Sequence, residues 1–352
     1  MRLSFLKNNI LNYDIIHQYI PISFNQTNYN ENINEITWIT NSYVNNSIGG
    51  SEYMCHTINK FLIEKGFKIN IIGNWLTEIY DGVHLINIKD VNLVQKTIGS
   101  SKFLFSQNYS FPEITVRIGD MLDKKVFIFI HTTLPLCDPS PQKYVHLMKN
   151  KQNMYFIFNS KWIYDIYLSL NLNSLIIIPP IRCTTKTTSN THEYITLVNI
   201  SEDKGGRHLI DIANSLPQYK FLGVGNYGIK DTRVRNITYI PYTNNINDVY
   251  SKTDIILMPS IYESWGMVAS ESIYNGIPVI ASNTPGLKEN LDSAGIFVDR
   301  DSIAGWVHAI NELKVNRLLY EEVSANAAMR SIALLERFNS QIQRLCNHIQ
   351  VD

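Results

Sequence analysis

The residues best suited to chemistry lie between Asp254 and Glu289. A β-rich run ends in Met258-Pro259-Ser260, a loop holding Glu263, Trp265 and Gly266 follows, and an apolar-periodic run opens at Met267 and carries Glu271. The pattern predicts a strand over 254–258 and a helix over 267–274. The first N–H groups of such a helix lack intrahelical acceptors, and the helix dipole adds partial positive charge there. The turn at Gly266 and Met267 is therefore an expected anion site at the carboxyl edge of a parallel sheet. Glu263 sits in the loop beside whatever the anion carries. Glu271, a little over one turn into the helix, can accept hydrogen bonds from a vicinal diol such as a ribose. A diphosphate with a sugar on each side meets all three conditions, which points to a nucleotide-diphosphate sugar. Without such a ligand the pair reads as a solvated loop glutamate and a helix-surface glutamate, which spacing alone often produces.

Residues of this kind need a layered scaffold, and the chain alternates strand and helix patterns from about residue 34. Strands are predicted at 36–40, 68–72, 83–88, 103–106, 126–130, 154–158 and 175–178. A helix follows Gly49-Gly50 to about Lys65, and another runs from a Ser160 cap to Leu170. Pro179-Pro180 ends the last strand, and the polar, Thr-rich stretch 182–193 reads as a linker. The alternation then restarts, with strands at 194–199, 220–224, 237–240, 254–258, 278–281 and 296–298. Helices are predicted at 205–215, 267–274, 287–291 and 302–313. The tail from about Leu318 to His348 reads as helical, with a break near Glu336-Arg337-Phe338-Asn339. Strands separated by helices imply parallel pairing with right-handed crossovers, hence two α/β layered domains. The expected divisions are an N-terminal extension (1–34), a first Rossmann-like domain (35–181), the linker (182–193), a second Rossmann-like domain (194–330) and a C-terminal helix (331–352).

Bulk composition narrows the function. With 31 Lys plus Arg against 31 Asp plus Glu, the 352-residue chain has no basic excess, which argues against a nucleic-acid partner. The four cysteines (Cys55, Cys137, Cys183, Cys346) show no metal-ligand spacing and fit free thiols in a reducing, cytoplasmic setting. No apolar run reaches the length of a membrane span, although an amphipathic helix would suffice for transient contact with a membrane.

The segment 254–289 resembles the group 1 (family 4) retaining glycosyltransferases of GT-B fold, whose hallmark is two glutamates separated by seven residues. Glu263 and Glu271 have that spacing, and Pro259-Ser260, Gly266 and Gly276-Ile277-Pro278-Val279 stand in the flanking positions. The resemblance extends over roughly residues 36–350. It implies two Rossmann-like domains facing a cleft, with the last helix returning to the first domain. It also implies transfer of a hexose-type sugar, with retention of configuration, from a nucleotide-sugar donor to a glycan, lipid or small-molecule acceptor. Glu263 would contact the donor sugar and Glu271 the ribose, with Trp265, Gly266 and Met267 also at the donor.

Further matches assign further residues. Leu197–Gly206 looks like the family's Gly-Arg-Leu-x-x-x-Lys-Gly segment. Lys204 would then hold the diphosphate and stabilise the leaving group. Asn199 stands where the family has arginine, and a neutral amide loses the charge-assisted phosphate clamp. Arg207 or Arg182 could supply the missing charge. Gly49-Gly50 falls at the family's glycine-rich loop, where glycine permits close approach and positive φ. His131 falls at a family histidine near the donor sugar. Asp299-Arg300-Asp301 spells a metal-binding triplet of a different transferase fold, but its place between strand and helix makes Asp301 a cap or first-turn residue. No metal or other cofactor is expected. Two other readings fit the same residues: a nucleotide-sugar-binding protein of weak or no activity, for which Asn199 argues, and a nucleotide-sugar epimerase.

Overall fold

The computed structural model describes residues 32–46, 49–107, 111–133, 146, 148–149, 151–182, 189–243 and 245–350. Most of the expected N-terminal extension lies outside these, as do Ser47, Ile48, Cys137, Cys183 and the middle of the expected linker. The chain divides into two compact units, one formed by residues up to Pro179 together with Ser340 onward, the other by Pro180–Asn339.

In the first unit the strands are β1 (Asn32–Ile39), β2 (Lys68–Gly73), β3 (Glu78–Tyr80), β4 (Val83–Asn87), β5 (Ser101–Gln107), β6 (Lys125–Ile130), β7 (Met154–Phe158) and β8 (Ser174–Ile176). Helices α1 (Gly50–Glu64), α2 (Val91–Ser100), α3 (Pro112–Met121) and α4 (Lys161–Tyr167) connect them. The sheet order is β3-β4-β2-β1-β5-β6-β7-β8, parallel except for β3 against β4. Runs such as Val126-Phe127-Ile128-Phe129-Ile130 are apolar at every position because a parallel strand covered by helices is buried on both faces. β3 was not foreseen: its three residues are exposed and lie antiparallel at the sheet edge, so no burial pattern marks them. Ser160 occupies the N-cap position of α4, but its side chain makes no cap hydrogen bond and turns to Asn159 instead.

The second unit holds β9 (Tyr194–Val198), α5 (Gly206–Ser215), β10 (Phe221–Val224), β11 (Ile237–Ile240), α6 (Asn247–Tyr250), β12 (Thr253–Met258), α7 (Met267–Tyr274), β13 (Val279–Ser282), α8 (Pro285–Leu291), β14 (Gly295–Val298) and α9 (Ile303–Val315). Its sheet is parallel throughout, in the order β11-β10-β9-β12-β13-β14. Successive connections lead outward in one direction from β9 and in the other from β12. The loops after these two strands thus diverge at the carboxyl edge and leave a crevice, the usual ligand position in an open α/β sheet. In the first unit β1 and β5 flank the equivalent point.

Three expected boundaries need correction. Helix α10 (Arg317–Gln350) is one continuous helix rather than two pieces broken near residues 336–339. It contains neither Gly nor Pro, and Phe338 continues a buried stripe of Leu334, Ile342, Leu345 and Ile349. Its residues to 339 belong to the second unit and those from 340 to the first, so the second unit extends nine residues past the expected end at 330. The end of the expected linker is also part of that unit: Thr191 N–H bonds Ser251 O at 2.9 Å, Glu193 N–H bonds Lys252 O at 3.0 Å, and Asn190 Nδ2 donates to Thr253 O at 2.6 Å. Among the described residues no helix is long and apolar enough to cross a membrane.

Candidate active site

Two loops from neighbouring strands build the site in the second unit. After β9 the chain turns at Asn199, whose φ of 73° lies in the left-handed region and whose Oδ1 accepts from Ser201 N–H at 3.1 Å. Asn tolerates that backbone and closes such a turn with its own side chain, whereas an arginine would do neither. The departure from the family pattern at this position therefore has a local structural reason. Gly205, with φ of 97°, ends the turn, and a Cβ there would lie 2.3 Å from Pro259 Cγ. Only glycine lets the two loops meet this closely. Ile261 N–H then donates to Asp203 O at 2.8 Å, tying the loops together.

The two residues expected to act on the donor are joined here. Lys204 Nζ donates to Glu263 Oε1 at 2.6 Å and to Tyr262 O at 3.3 Å. Ser260 Oγ donates to the same Glu263 oxygen at 2.9 Å. Both side chains are mostly withdrawn from water, so an ammonium and a carboxylate sit ready at the mouth of the crevice between β9 and β12. Gly266 follows at φ 85° as the N-cap of α7 and brings no cap side chain. Among the described residues neither the Gly266 nor the Met267 N–H donates a hydrogen bond.

Glu271 is buried in α7, 4% exposed, and its Oε2 accepts from Tyr250 OH at 2.6 Å. Burial raises its carboxyl above the ordinary range, opposed by the Tyr250 hydrogen bond and by the charge of Arg182. Arg182 thus acts on Glu271. Arg207 is exposed in the first turn of α5, and its charge helps lower Asp231. Trp265 needs correction as a donor contact: its side chain is 1% exposed and Nε1 donates to Ser270 Oγ at 3.0 Å, so it offers a ligand no free face. Asp301 is not the cap of α9 either. Ser302 is, through Oγ and Gly305 N–H at 3.2 Å, while Asp301 is exposed and pairs with Arg300.

Gly49, Gly50 and His131 lie in the first unit. Gly49 is the N-cap of α1 with φ of −103°, so the reason for glycine is close approach rather than positive φ. A Cβ there would lie 2.3 Å from Glu52 Oε2, and the Glu52 carboxylate accepts from Ser42 Oγ at 2.7 Å and Ser51 Oγ at 2.9 Å. Gly50 opens α1. His131 follows β6 at the carboxyl edge, and its Nε2 is buried without a hydrogen-bond partner among the described residues. Burial pushes its imidazole down to about 4. Arg300 and Asn290 are neighbours of the site to which the motifs assign no donor role. Arg300 Nε donates to Pro259 O at 3.0 Å, and its triplet was discounted as a metal motif. Asn290 lies on α8, far in sequence from the loop it supports.

Comparison with known proteins bears on the family and the fold. Residues 190–330 match the family described as glycosyl transferases group 1. The chain is 38% identical over 71 residues to a D-inositol 3-phosphate glycosyltransferase of Corynebacterium kroppenstedtii, a stretch covering 20% of this chain and 16% of that protein. It is 25% identical over 224 residues to the O-antigen biosynthesis glycosyltransferase WclY of Escherichia coli, 60% of each. The chain thus spans less than two thirds of the length of these relatives. The fold is similar to that of Anabaena Alr3699/HepE, solved in complex with UDP and glucose, with a TM-score of 0.70 and 14% identity over 89% of this chain and 98% of that one. Residues 190–330 accordingly are similar to the glycosyl transferases group 1 family, and the chain carrying them has the GT-B fold.

Proposed function

We propose that the protein is a glycosyltransferase that moves a hexose-type sugar from a nucleotide-diphosphate sugar to a glycan, lipid or small-molecule acceptor, with retention and without a metal ion. The observation that carries the reading is the Lys204–Glu263 pair at the crevice between β9 and β12, beside the uncapped start of α7. A donor diphosphate competes with Glu263 for the Lys204 ammonium. Once displaced, Glu263 Oε1 is open to the hydroxyls of the donor sugar. As the glycosidic C–O bond breaks, negative charge grows on the leaving diphosphate, where Lys204 and the α7 N–H groups stabilise it. The acceptor hydroxyl attacks from the same face, and its proton passes to the departing phosphate oxygen. Glu271, with Oε2 held by Tyr250, serves the ribose diol. The fold shared with a protein solved with UDP and glucose makes UDP the first nucleotide to test.

The role assignments separate in kinetics. Lys204→Ala should lower kcat by about 100-fold or more, the scale of losing one transition-state charge contact. Glu271→Ala should mainly weaken donor binding, by about tenfold, the scale of one hydrogen bond to a charged group. Steady-state kinetics with donor titration separates them, and unchanged parameters in both variants would remove the site assignment.

A further inference from the structure

We infer that Asn290 is a positioning residue that builds the anion-binding face of α7, an inference resting on the donor site proposed above. Asn290 lies on α8 with 0% exposure. Its Nδ2 donates to Trp265 O at 3.0 Å and to Gly266 O at 2.9 Å. Ser270 Oγ lies 3.1 Å from Asn290 Oδ1 and 2.8 Å from Nδ2, and it accepts from Trp265 Nε1 at 3.0 Å. The amide orientation follows from the partners: an oxygen turned toward two carbonyl oxygens would meet no donor.

The consequence lies on the opposite side of the same peptide planes. In a trans peptide the N–H points away from the C=O. Holding Trp265 O and Gly266 O inward therefore turns Gly266 N–H and Met267 N–H outward together. Gly266 in the left-handed region followed by helical Met267 gives successive N–H groups that converge as a nest for an anionic oxygen. Gly266 O also accepts from Ala269 N–H at 2.9 Å, so the carbonyl that depends on Asn290 is Trp265 O. Without Asn290 it is free to swing toward the diphosphate, presenting a negative end where a positive one is needed. The backbone that carries Asn290 is held in turn, because Arg330 Nε donates to the Asn290 main-chain carbonyl at 2.8 Å and Arg330 Nη2 to that of Glu289 at 2.6 Å. Arg337 pairs with the Glu289 carboxylate at 2.7 Å and lies 5.8 Å from the Trp265 ring centre.

The test measures affinity for UDP and for uridine by NMR titration on the intact chain, with GDP or ADP and the matching nucleoside where UDP does not bind. Asn290→Leu should weaken the nucleoside diphosphate about tenfold, the scale of losing correctly aimed donors to a charged group, and leave the nucleoside unchanged. Asn236→Leu is the control: Asn236 Nδ2 likewise holds three carbonyls (Ala213, Leu216, Tyr219), but away from the site, so it should cost stability and not affinity. Where Asn290→Leu does not fold, Asn290→Asp decides. Burial keeps that carboxyl protonated and able to donate once, so about a threefold loss is expected. Wild-type diphosphate affinity in a folded Asn290 variant, equal losses for diphosphate and nucleoside, or an equal loss in Asn236→Leu would overturn the inference alone. A wild-type protein that binds no nucleoside diphosphate would overturn the donor site and the inference with it.

Discussion

At the scale of single residues, what distinguishes this site is how completely its side chains are already engaged. Lys204 is on Glu263, Glu271 is on Tyr250, and Asn199 closes its own turn. In the first unit, by contrast, His131 has a buried Nε2 without a partner among the described residues. With a folded pKa of about 4, it remains neutral through the physiological range. The unfolded chain takes up this proton first as pH falls from about 6.5, so stability declines between about 6.5 and 4 and is unaffected by His131 above that window. An NMR titration of the ring should show no protonation above pH 5. His131→Asn should flatten that part of the stability profile, and a ring titrating near 6.5 would contradict the buried, neutral state. Asn290 shows what the residue scale hides in a sequence. Its partners Trp265 and Gly266 are 25 and 24 positions away, and nothing local distinguishes it from the many other asparagines.

The elements were legible where burial writes a pattern. Strands β6, β7, β9 and β12 consist mostly of Val, Ile, Phe, Leu, Met and Tyr between polar turns, and each appears within a residue or two of its expected place. Helix α7 lies at its expected residues because Gly266 and Asn275 bound it. Elements without such a signature escaped: the exposed edge strand β3, the short α6, and α2 and α3, whose apolar faces are interrupted. Loop geometry was legible only in outline. The glycines at 205 and 266 marked turns, but not the contact of Gly205 with Pro259. That contact gives a test at this scale. Gly205→Ala adds a collision with Pro259 to the strain of a left-handed backbone. Gly66→Ala, at φ 89° with nothing within 4 Å of the new methyl, adds the strain alone, about 1–2 kcal/mol. Urea unfolding should show the larger loss at Gly205. Equal losses would mean that the two loops do not press together as described.

For the whole molecule, the sheet order of the second unit concentrates the assigned donor chemistry at one place. The reversal between β9 and β12 puts Lys204 and Glu263 on adjacent loops, although 59 positions separate them in sequence. The family resemblance supplied the roles, while the topology supplies the reason these residues can act together. The measurement that bears most directly on the central claim is a nucleotide-sugar panel against the purified chain in the presence of a chelator, reading binding and nucleoside diphosphate release together. The expected result is saturable binding of one donor with slow release of its nucleoside diphosphate, the release diminished in Lys204→Ala. Absence of binding by every donor at saturating concentration, or release that Lys204→Ala leaves untouched, would contradict it.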